Sequence, residues 1–252
     1  MQTAIYSTIK AASEKKRKQL AVLIDPDKLD IRMLEDMILE INHNGVDYVL
    51  IGGSLITGSF WNQCIRILKA SVSVPVLIFP GNTLQIDPSA DGILLLSLIS
   101  GRNPELLIGN HVIAAPLLRS SGLEILSTGY MLIESGKLTS VVYMSNTTPI
   151  PSDKTDIAMS TALAGEMLGL KLIYLDAGSG AMRAVPEGII TTVKENIRIP
   201  LIVGGGISCA TSARKAWQAG ADIVVVGNAL EARPQFLEEL CFERNKANQV
   251  VA

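Results

Sequence analysis

The chain is poor in several residues on which whole classes of chemistry depend. Its three cysteines, Cys64, Cys209 and Cys241, are odd in number, scattered and without metal-ligand spacing. That excludes a disulfide framework and a zinc site and points to a reducing, cytoplasmic compartment. The two histidines, His43 and His111, lack the partner spacing of nucleophilic or metal chemistry and are assigned no role. No apolar stretch reaches the roughly 20 residues of a membrane span, and Met1 to Leu20 has no apolar core of signal-peptide length. An excess of either charge is also missing: 22 basic and 24 acidic residues leave a net charge of −2, so no global field favours nucleic acid. The single basic cluster, Lys15-Lys-Arg-Lys18, reads as a solvated helix end before the first strand, with transient attraction to a membrane surface as the rival reading.

What is present is apolar and regularly punctuated. A hydrophobic content of 48% over 252 residues suits one domain spanning 1–252, of the size typical for a (β/α)8 barrel. Eight short apolar runs read as strands: Leu20 to Ile24, Tyr48 to Ile51, Val76 to Phe79, Ile93 to Leu96, Ile125 to Ile133, Leu172 to Tyr174, Leu201 to Val203 and Ile223 to Val226. Helical patterns lie between most of them, at Ile31 to Asn42, Phe60 to Ala70, Pro104 to Ile113, Ile157 to Leu168, Pro186 to Asn196 and Cys209 to Ala219. Alternation of this kind argues for a parallel α/β fold. One interval breaks it: Pro80 to Gly92 is short and full of breakers, so an irregular link is expected there, leaving one side open to a long apolar substrate. Leu138 to Lys154 reads as a long loop over the strand ends, a lid or binding element. From Arg233 onward the pattern is that of a final amphipathic helix.

Three glycine-bearing turns follow successive strands: Tyr174-Leu-Asp-Ala-Gly-Ser-Gly180, Gly204-Gly-Gly-Ile207 and Gly227-Asn228. Glycine lets backbone N–H groups close on an anion, and loops after the seventh and eighth strands of such barrels commonly hold phosphate. A phosphorylated ligand is therefore expected. Asp25 ends the first strand before Pro26, and Ser54 follows Gly52-Gly53 after the second. Together they make a plausible hard-oxygen pair for Mg²⁺, although a strand-end Asp serves equally well as a helix cap. A phosphosugar isomerase or lyase would share the glycine cup but needs a strand-end lysine, and the one candidate, Lys28, lies past a turn. A non-catalytic phosphate- or flavin-binding barrel is a further alternative.

The ordered set Ile24-Asp25-Pro26, Gly52-Gly53-Ser54, Ser100-Gly-Arg-Asn-Pro104, Pro149-Ile-Pro151, Tyr174-Leu-Asp-Ala-Gly-Ser-Gly-Ala181, Val203-Gly-Gly-Gly-Ile207 and Val226-Gly-Asn228 resembles the geranylgeranylglyceryl phosphate synthase family, which includes bacterial heptaprenylglyceryl phosphate synthases. The resemblance implies a modified (β/α)8 TIM barrel with an irregular segment in place of the helix after strand 3. It also implies a homo-oligomeric, Mg²⁺-dependent prenyltransferase of ether-lipid biosynthesis. Such an enzyme joins a polyprenyl diphosphate, foremost geranylgeranyl diphosphate, to the 3-hydroxyl of sn-glycerol 1-phosphate and releases diphosphate. Carried onto this sequence, the metal residues are Asp25 and Ser54, and the glycerol phosphate contacts are Tyr174, Leu175, Asp176, Ala177, Gly178, Ser179, Gly180, Gly205, Gly206, Gly227 and Asn228.

Asp176 lies inside a phosphate-facing turn and is expected to orient and deprotonate the acceptor hydroxyl; a carboxylate that merely bonds loop amides is the alternative. Many family members carry Glu at this place. Tyr174 is expected to offer its hydroxyl to the acceptor or its phosphate; a tyrosine that simply packs at a strand end is the alternative. Tyr130, Tyr143, Phe79 and Trp61 are candidate walls of a prenyl groove whose depth near Pro104 to Ile108 would set chain length, and the apolar face of Ile157 to Leu168 is a candidate subunit contact.

Overall fold

A computed structural model describes residues 4–249; the ends of the 1–252 span lie outside the described residues. Eight parallel strands close into one barrel: β1 (Gln19–Ile24), β2 (Tyr48–Ile51), β3 (Val76–Ile78), β4 (Gly92–Leu98), β5 (Glu124–Leu132), β6 (Leu172–Asp176), β7 (Leu201–Gly204) and β8 (Ile223–Val226), with β8 paired back on β1. Every strand expected from the apolar runs is present, displaced by two residues at most. The modified TIM barrel is thus what the chain forms.

Period-2 alternation divides each strand between two cores. Leu172, Tyr174, Leu126, Tyr130, Leu50 and Ile202 belong to the barrel interior, while Ile173, Leu175, Met131, Val49 and Val203 pack outward under the helices. Because parallel strands here are buried on both faces, they read as unbroken apolar runs rather than alternating ones.

The helices are α1 (Ala4–Glu14), α2 (Ile31–Asn44), α3 (Trp61–Ser71), α4 (Asn110–Ser121), α5 (Ser140–Ser145), α6 (Thr155–Met167), α7 (Glu187–Asn196), α8 (Ala210–Ala219), α9 (Asn228–Ala232) and α10 (Phe236–Gln249). In α2 the chain's logic is complete in one element. The Asp30 carboxylate accepts from Met33 N at 2.9 Å, a cap that contributes about 1 kcal/mol. Leu34, Met37, Ile38 and Ile41 recur at helical spacing and are buried, each contributing roughly 1.5–3 kcal/mol. Gly45 then ends the helix with φ 69°.

Two expectations need adjustment. The helix expected from Pro104 begins as a π-helical stretch over Glu105–Gly109 and continues as α4 through Pro116 to Ser121, because the left-handed stop is supplied only by Gly122, φ 79°. The loop from Leu138 to Lys154 contains the short α5, and it is anchored over the strand ends where Glu134 N donates to Ile150 O at 2.8 Å and Ile150 N to Leu132 O at 2.9 Å. Between β3 and β4, in contrast, only a 3-10 turn (Thr83–Gln85) forms, as the breakers require.

The lower mouth of the barrel is shut. Ile9 of α1 is 1% exposed among interior residues, and the Glu124 carboxylate accepts from Ile5 N and Tyr6 N at 2.8 Å each, satisfying amides that a helix start leaves free. Nearby, Lys18 N donates to Asn248 Oδ1 at 2.6 Å and Asn248 Nδ2 to Lys18 O at 3.1 Å, tying α10 to the segment before β1. Lys15, Lys16 and Arg17 follow α1 and are solvated, whereas Lys18 is half-buried, its ammonium donating to Ala221 O. Chemistry is left to the upper mouth.

Candidate active site

The upper mouth opens into a cavity of about 840 Å³, bounded by the ends of β1, β2, β5, β6, β7 and β8 and by the 138–144 stretch. Its floor is the topmost inward-facing residues of the strands. Tyr130 and Tyr174 are register partners on β5 and β6 and meet edge-to-face at 5.5 Å, while Phe79, just after β3, stacks on Tyr174 at 5.1 Å and 19°.

Above this aromatic floor the three glycine turns interlock. A Cβ on Gly205, φ 79°, would lie 2.5 Å from Gly178 N and 2.6 Å from Asp176 Oδ1, so the second turn presses directly on the first. A Cβ on Gly178, φ 90°, would meet Thr139 Oγ1 at 2.4 Å, so the long loop presses on the first turn from the other side. Only glycine tolerates both the backbone angle and the approach. Ala177 N is engaged by Gly204 O and Gly178 N by Asp176 Oδ1. The amides of Ser179, Gly180, Gly205 and Gly206 donate to no acceptor among the described residues. Unpaired amides converging at strand ends are an anion cradle. Gly227 and Asn228 complete the rim at the start of α9, where Asn228 Oδ1 accepts from Ser179 Oγ at 3.1 Å.

Asp176 is 6% exposed and lies between the floor and the cup. Its Oδ1 accepts from Gly178 N at 2.7 Å and its Oδ2 accepts from the Tyr130 hydroxyl. Burial pushes this carboxyl above the usual Asp range, and the bonds from Tyr130 and Gly178 pull it back only in part. Burial, then the Asp176 charge, pushes both tyrosines well above their ordinary value, so they remain protonated donors. A carboxylate offers about four acceptor positions, so two donors leave it room for a third.

On the opposite wall, the Asp25 carboxylate leans on the backbone after β2: a Cβ on Gly53 would be 3.0 Å from Asp25 Oδ1. Ser54 lines the same wall. Asp25 also accepts from Asp27 N at 3.2 Å, the local turn that Pro26 starts. Among the described residues no three His, Cys, Asp or Glu side chains are grouped to hold a metal. One carboxylate and one hydroxyl suit a hard ion such as Mg²⁺, which keeps waters and takes substrate oxygens, and not an ion that needs a full protein cage.

The expected site residues are thus brought together with two exceptions. Leu175 and Ala177 belong to the outer core under the helices, and neither borders the cavity. Their backbone parity, in to Tyr174 and Asp176 and out between, dictates this. Trp61 is likewise buried at the start of α3 in the outer core and is no part of any groove wall. Tyr143 borders the cavity mouth. His43 is exposed on α2.

Lys28 reads in the sequence only as a lysine past a turn, and Glu231 and Thr139 are not marked there at all. Lys28 turns back over Asp25, with Nζ–Oδ2 at 3.2 Å; its spacing of three from Asp25 was the available signal. Glu231 enters from α9, and burial raises its carboxyl, with Asp25 adding to the rise and Lys28 opposing it. Thr139 is 3% exposed on the cavity wall and its hydroxyl has no partner.

A second cavity of about 360 Å³ continues from the first, sharing Gly53, Ser54, Phe79, Tyr130, Val141 and Met144 with it. It runs where the helix after β3 is missing, along Pro80, Ile86, Ile93, Leu95, Leu106, Ala114 and Leu118. Ile93 and Leu95 point outward from β4, so this groove exists because no helix covers them. His111 borders it, Nε2 lying 3.2 Å from Ser97 Oγ while Nδ1 is buried without a partner.

Comparison with known proteins agrees in one direction. Residues 13–243 match the model of the PcrB family. The chain is 52% identical over 235 residues to the geranylgeranylglyceryl phosphate synthase of Spirosoma linguale, covering 93% of this chain and 94% of that one. To the protein of the same name from Chitinophaga pinensis it is 48% identical over 240 residues, 95% of each. The crystal structure of (S)-3-O-geranylgeranylglyceryl phosphate synthase from Thermoplasma acidophilum in complex with its substrate sn-glycerol-1-phosphate superposes with a TM-score of 0.91 at 31% identity, covering 98% of this chain and 100% of that one.

Proposed function

The chain belongs to the PcrB family, and on that premise we propose that its pocket transfers a polyprenyl group, foremost geranylgeranyl, from its diphosphate to the 3-hydroxyl of sn-glycerol 1-phosphate in ether-lipid biosynthesis. One observation carries the reading. A cup of unpaired amides and a hard-oxygen pair face each other across a buried carboxylate, and the cavity between them runs into an apolar groove.

The acceptor phosphate sits in the cup on the amides of Ser179, Gly180, Gly205 and Gly206, which directs the glycerol toward Asp176. Holding it there turns a bimolecular encounter into an oriented one. The prenyl chain lies in the groove past Phe79 and Tyr130. As the bond between C1 and the diphosphate oxygen breaks, its electron pair leaves with the diphosphate; the acceptor 3-oxygen forms the new C–O bond and its proton passes to Asp176. Tyr130 and the Gly178 amide orient that carboxylate and favour its ionised form against the effect of burial. Asp25 and Ser54 would hold Mg²⁺, which supplies neutralisation of the charge that develops on the leaving diphosphate.

A homo-oligomer belongs to the same reading. Its support is the line of exposed apolar residues on and before α4, Ile108, Val112, Ile113 and Leu117, with Met167 and Leu168 at the end of α6. No helix among the described residues is long and apolar enough to cross a membrane, so a lipid-like donor must reach the groove from a surface or from solution.

The deciding experiment incubates the protein and Mg²⁺ with labelled sn-glycerol 1-phosphate and prenyl diphosphates of graded length. Extractable labelled product at one or more lengths is expected, and the preferred length reads the depth of the groove. No product at any length would refute the reaction.

A further inference from the structure

Lys28 Nζ reaches oxygens in both halves of the pocket. Asp25 Oδ2 at 3.2 Å and Glu231 Oε1 at 3.5 Å lie on one side; Asn228 Oδ1 at 3.2 Å and Ser179 Oγ at 3.4 Å, both of the glycine cup, lie on the other. An ammonium has three protons and cannot serve four acceptors well, so this cation is shared rather than locked. Its side chain is 38% exposed, whereas Asp25 and Glu231 are 16% and 14% exposed.

The charges lining the cavity make the position unusual. Asp25, Asp27, Asp176 and Glu231 border it, and among the described residues Lys28 is the one Lys or Arg in its lining. Yet the pocket is to hold a phosphate monoester, about −1.5 to −2 at neutral pH, beside a diphosphate. The cup offers neutral dipoles with Lys137 Nζ beside Gly180 at its edge, and the opposite wall offers a carboxylate; Lys28 is the cation that touches both walls and is placed to offset the repulsion between the two substrates.

We propose that Lys28 is a substrate-positioning residue shared by both subsites: its ammonium turns from Asp25 and Glu231 to the facing phosphoryl oxygens of the acceptor and the donor, so that each binds without expelling the other. The proposal rests on the prenyl-transfer reading above, in which both anions occupy the pocket together. Glu231 shares the cation with Asp25, which gives a half-buried carboxylate beside Asp25 a role.

The test is calorimetric and needs no turnover. The dissociation constant of sn-glycerol 1-phosphate is measured for the full chain with and without saturating Mg²⁺ and inorganic diphosphate, in the parent, Lys28→Gln and Lys28→Arg. Inorganic diphosphate stands in for the donor head. In Lys28→Gln the diphosphate is expected to weaken acceptor binding roughly tenfold more than in the parent, within the usual range of coupling between sites, and Lys28→Arg is expected to restore most of the loss. A Gln variant whose ratio of the two constants equals that of the parent overturns the proposal, even if both constants are weakened, because that is what a purely structural lysine would give. Equal loss of coupling in the Gln and Arg variants, with unchanged thermal transitions, overturns the charge argument too. Should the parent show the coupling but make no prenyl ether, the reaction fails and the bridge stands.

Discussion

The two walls of the pocket recognise anions with different parts of the chain. On the β6–β8 wall the binding groups are backbone amides, fixed by turns in which Gly178 and Gly205 nearly touch. On the β1–β2 wall they are side chains, Asp25, Ser54 and Lys28, carried on a turn and a loop after short strands. The first wall binds through backbone dipoles and leaves no room for a Cβ at Gly178, Gly205 or Gly206; the second binds through charged, adjustable side chains. A small acceptor that must present one hydroxyl in one orientation suits the first. A departing diphosphate, whose charge grows as it leaves, suits the second.

Substitutions can break this contrast at graded points. The largest effect is expected where the walls meet. Asp176→Asn removes the proton acceptor and is expected to lower kcat about 10³-fold, measured by product formation at saturating substrates. Its thermal transition at pH 7 should be no lower than the parent's. Folding raises the Asp176 pKa above its ordinary value of 3.8; the ionised form is therefore disfavoured in the fold, and the stability linked to this group falls as pH rises through the folded value. An uncharged amide escapes that loss. Near-normal turnover in the Asn variant would remove the base role.

Gly205→Ala attacks the β6–β8 wall alone. The new methyl would meet Gly178 N and Asp176 Oδ1 at 2.5 and 2.6 Å, so the cup must open. A shift of about 1 Å is expected to lower kcat/KM for the acceptor roughly 10²-fold, with Mg²⁺ dependence unchanged. Asp25→Asn does the reverse: the Mg²⁺ concentration for half-maximal rate should rise at least roughly 10-fold, while acceptor affinity in a binding titration stays near that of the parent. If both constants moved together in either variant, the division between the walls would be wrong.

The smallest effect sharpens the middle. Tyr130→Phe deletes one of two hydrogen bonds that favour ionised Asp176. Both bonds pull the Asp176 carboxyl down against the effect of burial, so losing one should raise it further. The carboxylate acts when ionised; hence the acid limb of the kcat/KM profile should move to higher pH, with little change on the alkaline side. An unmoved acid limb would mean that Tyr130 serves only as floor.

The same contrast explains what could be read from the sequence. The β6–β8 wall was legible because its chemistry is backbone chemistry: β-branched runs ending in Tyr174 to Gly180, Gly204 to Gly206 and Gly227 mark both the strands and the turns. The missing cover between β3 and β4 was legible for a similar reason, since Pro80, Gly81, Pro88 and Gly92 cannot make a helix. Side-chain geometry was not. The spacing of three from Asp25 hints that Lys28 folds back over it, but nothing in the order of residues says that α9 delivers Glu231 or that Thr139 leaves its hydroxyl unpaired against Gly178. Leu175 and Ala177 stand among the expected contacts because the resemblance carries over the whole stretch from Tyr174 to Gly180, although strand parity sends their side chains outward.

The plug at the lower mouth has a bearing on how the chain is assembled. The carboxylate that anchors the start of α1 lies 119 and 118 residues further on, in β5. During synthesis, then, α1 has no seat until β5 has left the ribosome. The pairing of β1 with β8 and the Lys18–Asn248 bonds, 230 residues apart in sequence, wait longer still. A helix that precedes the barrel in sequence is thus among the last elements to be fastened, and a chain halted before α10 would close its barrel but lack the Lys18–Asn248 tie.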